Sequence, residues 1–363
     1  MGKEFIVPVG SVIKEYLDEY DITQKELSYR LGMSEKQISK LMTAKSRLTE
    51  DVAIRLETVV PNLKADYLLK YESKYREYLT RQKNDEMLAK MNLQELSERF
   101  CFQEVFEGCQ YDILTQAKEM LRILKISSFE NFDSTYDNLL VNFMEDGGRK
   151  EAIAVWLGLC EEEIDIQNDD LTDVEYSPTK FKTILPLIRT LARSADLSSL
   201  TKNCRKLCNE QGVYLVVQKP VKNSKVRGAL TTYKGHPAIY LSGRFKTHDH
   251  VWFALAHELG HLVLHYEQKS LIVSYEDADD MNRSEQEANQ YARDFFINQD
   301  DWNMFVQNTT DITEGKIRIF AKRMKVHPGI VVARLQHDGI IERNMFNQLK
   351  VKIDFDDLNL ELI

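Results

Sequence analysis

Residues 251–265 read VWFALAHELGHLVLH, with His257-Glu258-Leu259-Gly260-His261 at the centre. On an α-helix, side chains four residues apart share a face with Cβ atoms roughly 5 to 6 Å apart. The two imidazoles can therefore reach one Zn²⁺ at about 2.0 to 2.1 Å. Glu258 is rotated off that pair yet stays beside the metal, where a general base must stand to take a proton from water. Val251, Trp252, Phe253, Leu255, Leu259, Leu262, Val263 and Leu264 are apolar almost all round the helix, the pattern of a segment buried inside a domain. Gly260 costs about 1 kcal/mol of helix propensity against Ala, which suggests a close approach by something to the backbone there. The bland alternative is a core helix that happens to carry histidines.

A third ligand is expected downstream, where Ser284-Glu285-Gln286-Glu287-Ala288-Asn289-Gln290-Tyr291-Ala292 predicts a second helix. Two carboxylates compete. Glu285 shares a face with Ala288, Asn289 and Ala292, so it could bind the metal while Asn289 adds a supporting hydrogen bond. Glu287 has another job available, closing a Ser-x-x-Glu capping box with Ser284. Helix geometry favours Glu285. With His257 and His261 it would leave a fourth position open for water, whose proton Glu258 would take. His265 lies nearly on the ligand face and reads as a satisfied core histidine. An oxyanion donor is still required. His327 and Tyr291 are the candidates, although His327 before Pro328 also reads as a helix start.

Upstream, helices are expected over 181–193 and 197–211, the second closed by Gly212. A strand with Val213, Leu215 and Val217 on one side follows. Residues 228–232 and 238–242 flank Lys234-Gly235-His236-Pro237 and suit a hairpin, whose edge could accept a peptide as an added strand. His257 to His261, His265, and Glu285-x-Glu287-Ala288-Asn289-x-Tyr291-Ala292 resemble the ImmA/IrrE family of zinc metallopeptidases over about 180–350. That likeness implies a zincin-like fold with its metal ligand at Glu285.

At the other end, Thr23-Gln24-Lys25-Glu26 and Ser34-Glu35-Lys36-Gln37 each read as a capping box opening a short helix, with Gly32 between them. Two short helices joined by a tight turn make a helix-turn-helix, whose second helix can lie in the major groove. From Lys25 to Arg47 there are six lysine or arginine residues against two glutamates, an excess of four positive charges in a chain of net charge -9. Such a patch, with Lys45 and Arg47 at its end, would neutralise phosphates. Lys36, Gln37 and Lys40 could reach base edges. A generic helical bundle with a solvated basic face is the alternative. The residues Ile22 to Leu27, Leu31 to Ser34, Ile38 to Leu41 and Leu48-Thr49 resemble the Xre/Cro-like helix-turn-helix family, notably its HigA antitoxin branch, over about 1–80. The likeness implies that Gln24 contacts phosphate and that Ser34, Lys36 and Lys40 face DNA. Ala44-Lys45 departs from the Gly-Lys usual there. The stretch from His327 to His337 resembles the tail of HigA-type proteins carrying the peptidase-like domain.

The 363 residues have room for two or three domains, and 43% hydrophobic with 29% charged residues is ordinary for a soluble globular chain. The opening MGKEFIVPVG lacks the long apolar run of a signal peptide, and no stretch is long and uncharged enough to span a bilayer. Cys101, Cys109, Cys160, Cys204 and Cys208 contain no Cys-x-x-Cys pair, so neither a disulfide framework nor a thiolate metal site is indicated. Tyr71, Tyr75, Tyr78 and Leu79 are at helical spacing in a connecting or dimer-facing helix, and 161–175 reads as an acidic, solvated linker.

The expectation is an α+β fold, predominantly helical: a helix-turn-helix bundle over 1–80, a helical connection over 81–175, and a zincin-like domain with a small sheet over 176–363. Its function would be that of a cytoplasmic, homodimeric transcriptional regulator that binds operator DNA and carries a zinc endopeptidase cleaving a partner regulator or itself. The alternative is a non-proteolytic HigA-type antitoxin or repressor, partnered by a toxin, in which the zinc domain senses or scaffolds.

Overall fold

The computed structural model describes residues 6–140, 148–167, 169–196, 198–244, 247–266, 272–275, 283–309 and 311–353. It is predominantly helical, with one small sheet, and divides into two compact units, Met1–Leu93 and Gln94–Ile363. Among the described residues no helix is long and apolar enough to cross a membrane.

The first unit contains α1 (Val9–Glu19), α2 (Gln24–Leu31), α3 (Glu35–Met42), α4 (Glu50–Val59) and α5 (Ala65–Ala89). Their apolar faces meet in a core in which Ile13, Leu17, Leu27, Ile38 and Leu56 are fully buried. Thr23 caps α2 by accepting from the Glu26 N–H at 3.1 Å, but Glu26 turns to Arg30 instead of completing a reciprocal box. Ser34 does form the full capping box with Gln37. Gly32 takes φ +64°, the left-handed turn between the two helices. The 25-residue α5 runs through position 80, where a domain boundary is expected, because its first turns pack on the core through Ala65 and Leu68.

The second unit begins with α6 (Leu93–Arg99), α7 (Phe102–Val105), α8 (Ile113–Ile123), α9 (Phe132–Leu140) and α10 (Lys150–Gln167). Of the 81–175 stretch expected as a helical connection, residues 94–175 thus fall in the same compact unit as the sheet and the residues after it. The reason lies in α10: Trp156 meets Tyr240 edge-on at 6.3 Å, and Ile153, Cys160 and Ile164 continue the buried face. The first half of the acidic run, Glu161 to Gln167, is therefore the end of a packed helix rather than a solvated linker, while 169–175 is irregular. Its carboxylates are taken by Lys125, Arg122, Arg205 and Lys234.

Then come α11 (Pro178–Leu191), a π-helical turn (Ser199–Cys204), α12 (Arg205–Asn209), β1 (Tyr214–Gln218), β2 (Val226–Tyr233), β3 (His236–Ser242), α13 (His248–Leu264), β4 (Ile272–Tyr275), α14 (Arg283–Phe296), α15 (Gln299–Gln307), α16 (Glu314–Met324) and α17 (Pro328–His337). The sheet order is β1-β3-β2-β4, with β1 parallel to β3 and the other pairs antiparallel. The expected hairpin forms with a tighter turn, Lys234-Gly235, both at positive φ. His236 and Pro237 are already in β3. Over Val226–Leu230 the hairpin's outer edge is paired with β4, so that stretch is already taken by a strand of the chain itself. In β1, Tyr214, Leu215 and Val216 are all buried instead of alternating, because helices cover both faces.

Candidate metal centre

Helix α13 has its two histidines one turn apart and is buried along almost its whole length, with Leu255 and Leu259 at 0% exposure. Helix α14 lies against it at Gly260, where an added Cβ would stand 3.2 Å from Ala288 Cα and from the Tyr291 ring. That close crossing is the physical use of a glycine otherwise unfavourable in a helix. It brings Glu285 to the histidines. Glu285 Oε2 is 3.2 Å from His257 Nε2, Glu285 Oε1 is 3.0 Å from His261 Nε2, and the two Nε2 atoms are 3.0 Å apart.

The hydrogen bonds behind these groups decide what the three atoms present. His257 Nδ1 donates to Asn289 Oδ1 at 2.9 Å. His265 Nε2 donates to Glu287 Oε2 at 3.0 Å, which leaves its Nδ1 to accept from His261 Nδ1 at 3.1 Å. Both Nε2 atoms thereby turn lone pairs toward a carboxylate. Such a set repels itself unless a cation or a proton lies among the three. The titration shifts express the same demand. Burial opposes charge on both groups. Even so, the hydrogen bond to Glu285 and the charge of Glu258 raise His257, and the two histidines pull Glu285 down to about 2.

Tetrahedral zinc ligands at about 2.0 to 2.1 Å from the ion stand about 3.3 Å apart, close to the spacings observed. His257, His261 and Glu285 are the one His/Cys/Asp/Glu group among the described residues with ligand atoms gathered for a metal ion, all within 4.8 Å. The residues present fit the ion.

Glu258 is 1% exposed and packs on β2, where a Cβ at Gly228 would fall 2.5 Å from its Oε1. Gly228 is a part of the site that sequence reading did not single out. Glu258, His257, Glu285 and Asn289 line one cavity of about 680 Å³ that continues between α13 and α14 toward α17.

The competing carboxylate, Glu287, points to His265 and Arg283 and does not reach the cluster. Its expected capping box with Ser284 does not apply, because α14 already includes Arg283 and Ser284 is inside its first turn. Neither oxyanion candidate reaches the cavity. His327 caps α17, accepting the Gly329 N–H at 3.1 Å. Tyr291 lines a different cavity, against α11, and burial pushes its hydroxyl up to about 12. His265 is hydrogen-bonded on both nitrogens, as expected of a satisfied histidine.

In the first unit Gln24, Ser34, Lys36, Gln37, Lys40, Lys45 and Arg47 are all exposed. Gln24 opens α2, Ser34 is the cap of α3, and Lys36, Gln37 and Lys40 are on α3 itself. Gln37 Oε1 is bound to the Ser34 N–H at 2.8 Å, so its side chain is folded back on the helix start. Ala44 adopts φ +57°, the conformation a glycine would take freely. The loop is held by α5: Arg76 Nη2 donates to Ala44 O at 3.2 Å and Ser46 O at 3.0 Å, while Glu72 accepts from the Leu48 N–H at 3.3 Å.

With this geometry in hand, comparison gives two matches. Residues 13–75 match the helix-turn-helix family, and residues 208–336 match the peptidase family described as an IrrE N-terminal-like domain. No curated protein matches the chain.

Proposed function

We propose that this chain, a helix-turn-helix segment joined to an IrrE N-terminal-like segment, is a DNA-binding transcriptional regulator whose second unit is a zinc-dependent endopeptidase acting on a partner regulator or on itself. The carrying observation is the convergence of His257, His261 and Glu285, with lone pairs turned inward, beside Glu258 on one cavity. These three residues would hold the ion. When bound, zinc supplies Lewis acidity, which lowers the pKa of a water molecule and polarises a carbonyl oxygen. Glu258 takes the water's proton and delivers it to the departing amine. Asn289 and His265 keep the imidazoles in the required tautomer. In the first unit, Lys36 and Lys40 face base edges while Gln24, Ser34, Lys45 and Arg47 contact phosphate. Paired half-sites imply a homodimer on the operator, in the cytoplasm where DNA is found.

The test is incubation of zinc-loaded protein with candidate repressors and toxins. Cleavage should occur with the intact chain and vanish in Glu258→Gln; equal activity in that variant removes the catalytic claim. One observation favours a second reading, a HigA-type repressor or antitoxin whose metal centre only scaffolds: Glu258 is nearly inaccessible beneath Gly228. That reading predicts operator binding and toxin neutralisation unchanged in Glu258→Gln, with no proteolysis by either protein.

A further inference from the structure

The cavity that holds the metal ligands has a second, cationic end. On α14 Glu285, Asn289 and Arg293 follow one another at intervals of four residues, and all three line the cavity. Arg293 therefore stands about 12 Å along the helix from Glu285, at 1.5 Å per residue. The carboxylates around that end face other cations, although the buried Asp249 oxygens make no hydrogen bond among the described residues. Asp249 lies 3.2 Å from Lys350 Nζ. Asp338 accepts from Trp302 Nε1 at 2.9 Å and faces Arg334. Arg334 itself is bound to the carbonyls of Arg293 and Ile297 and to Gln299 Oε1.

Arg293 has no such partner: among the described residues it makes no ion pair, and its buried Nε has no hydrogen bond. Arg343, exposed at the same end, makes no ion pair either. A guanidinium that lines a cavity and makes no ion pair among the described residues is costly. A planar carboxylate presented by a ligand matches its donors.

We propose that this end of the cavity is a carboxylate subsite centred on Arg293 and supported by Arg343. It selects peptides that place an acidic side chain, or a free chain terminus, a few residues from the bond held at the metal. At about 3.3 Å per residue of extended peptide, the separation corresponds to two to four residues. The inference deepens the peptidase reading and rests on it for the identity of the ligand as a peptide.

The experiment is calorimetric titration of the zinc-loaded full-length chain. The probes are capped octapeptides of alanine, glutamine and leucine in which one Asp is walked through the inner positions, each against its Asn twin. A further peptide without Asp is compared with free and amidated C-terminus. At one or two positions Asp should bind about tenfold or more tightly than Asn, the worth of a charged hydrogen bond. Arg293→Gln should erase the difference, and Arg293→Glu should transfer the preference to Lys at that position. Arg343→Gln, an exposed substitution that leaves the packing alone, should reduce it. Preference confined to the free C-terminus assigns the carboxylate to a chain end. The proposal is overturned if no peptide shows a carboxylate advantage, or if the advantage survives in both Arg293→Gln and Arg343→Gln. Hydrolysis is read in the same mixtures by mass spectrometry. Preference without hydrolysis sinks the peptidase reading and keeps the subsite; hydrolysis without preference does the reverse.

Discussion

His265 and Glu287 touch no ligand position, yet they decide how His261 meets one. Because Glu287 fixes the proton on His265 Nε2, His261 must donate through Nδ1 and offer its Nε2 lone pair. Loss of such outer partners typically costs 10- to 100-fold in metal affinity. His265→Ala should therefore weaken zinc binding by about that factor in competition with a chromogenic chelator. Unchanged affinity would refute the relay. Without metal, the same cluster should respond to pH. His257 is raised above 6.5, so its contribution to stability is complete below that value and is lost as pH rises through the folded value. Glu285 is lowered from 4.5 to about 2, so its contribution is present above 4.5 and is lost as pH falls toward 2. In chelator-treated protein, the stability gap between the parent chain and Glu285→Gln should be widest between pH 4.5 and 6.5. A gap that is flat across pH 3 to 9 in denaturant titrations would count against the pairing. The two histidines and the glutamate between them were legible as a five-residue pattern, and the choice of Glu285 over Glu287 followed from helical periodicity. Gly228 was not legible, because nothing local marks a strand residue that faces a carboxylate from another element.

Among the elements, α5 does more than lead out of the first unit. Its Glu72–Arg76 pair, joined at 2.7 Å with Glu72 largely buried, fastens the loop that follows α3. Arg76→Ala would leave two carbonyls without their donor and a buried carboxylate with only the Leu48 N–H, a loss of about 1 to 3 kcal/mol. The variant should unfold earlier in urea and bind operator more weakly, even though Arg76 need not touch DNA. Operator affinity equal to that of the parent chain would show that the loop needs no brace. The capping signals that open α2 and α3 were readable because they are local in sequence. The acidic end of α10 was misread as linker because charge density was weighed above spacing. Cys160 and Ile164, one turn apart and continuing from Trp156, carried the helical signal through the acidic run.

For the molecule as a whole, the two units have separate cores, and the His257, His261 and Glu285 cluster belongs entirely to the second. Ligand bound only to the folded state adds about 4 kcal/mol when present at a thousand times its dissociation constant. Removing zinc with a chelator should lower a thermal transition in scanning calorimetry by several degrees. His257→Ala should abolish that dependence on chelator. A chelator effect of equal size in that variant would mean that the ion binds elsewhere. The two functional motifs and the mixed, mainly helical class could be read along the chain, since caps, helical faces and metal-ligand spacing are properties of neighbours within a few residues. The approach of Gly228 to Glu258, the pairing of β4 along the hairpin, the docking of α10 on the sheet and the cationic end of the cavity could not. Each depends on contacts between residues tens of positions apart, and those are set by which faces pack once the whole core has formed.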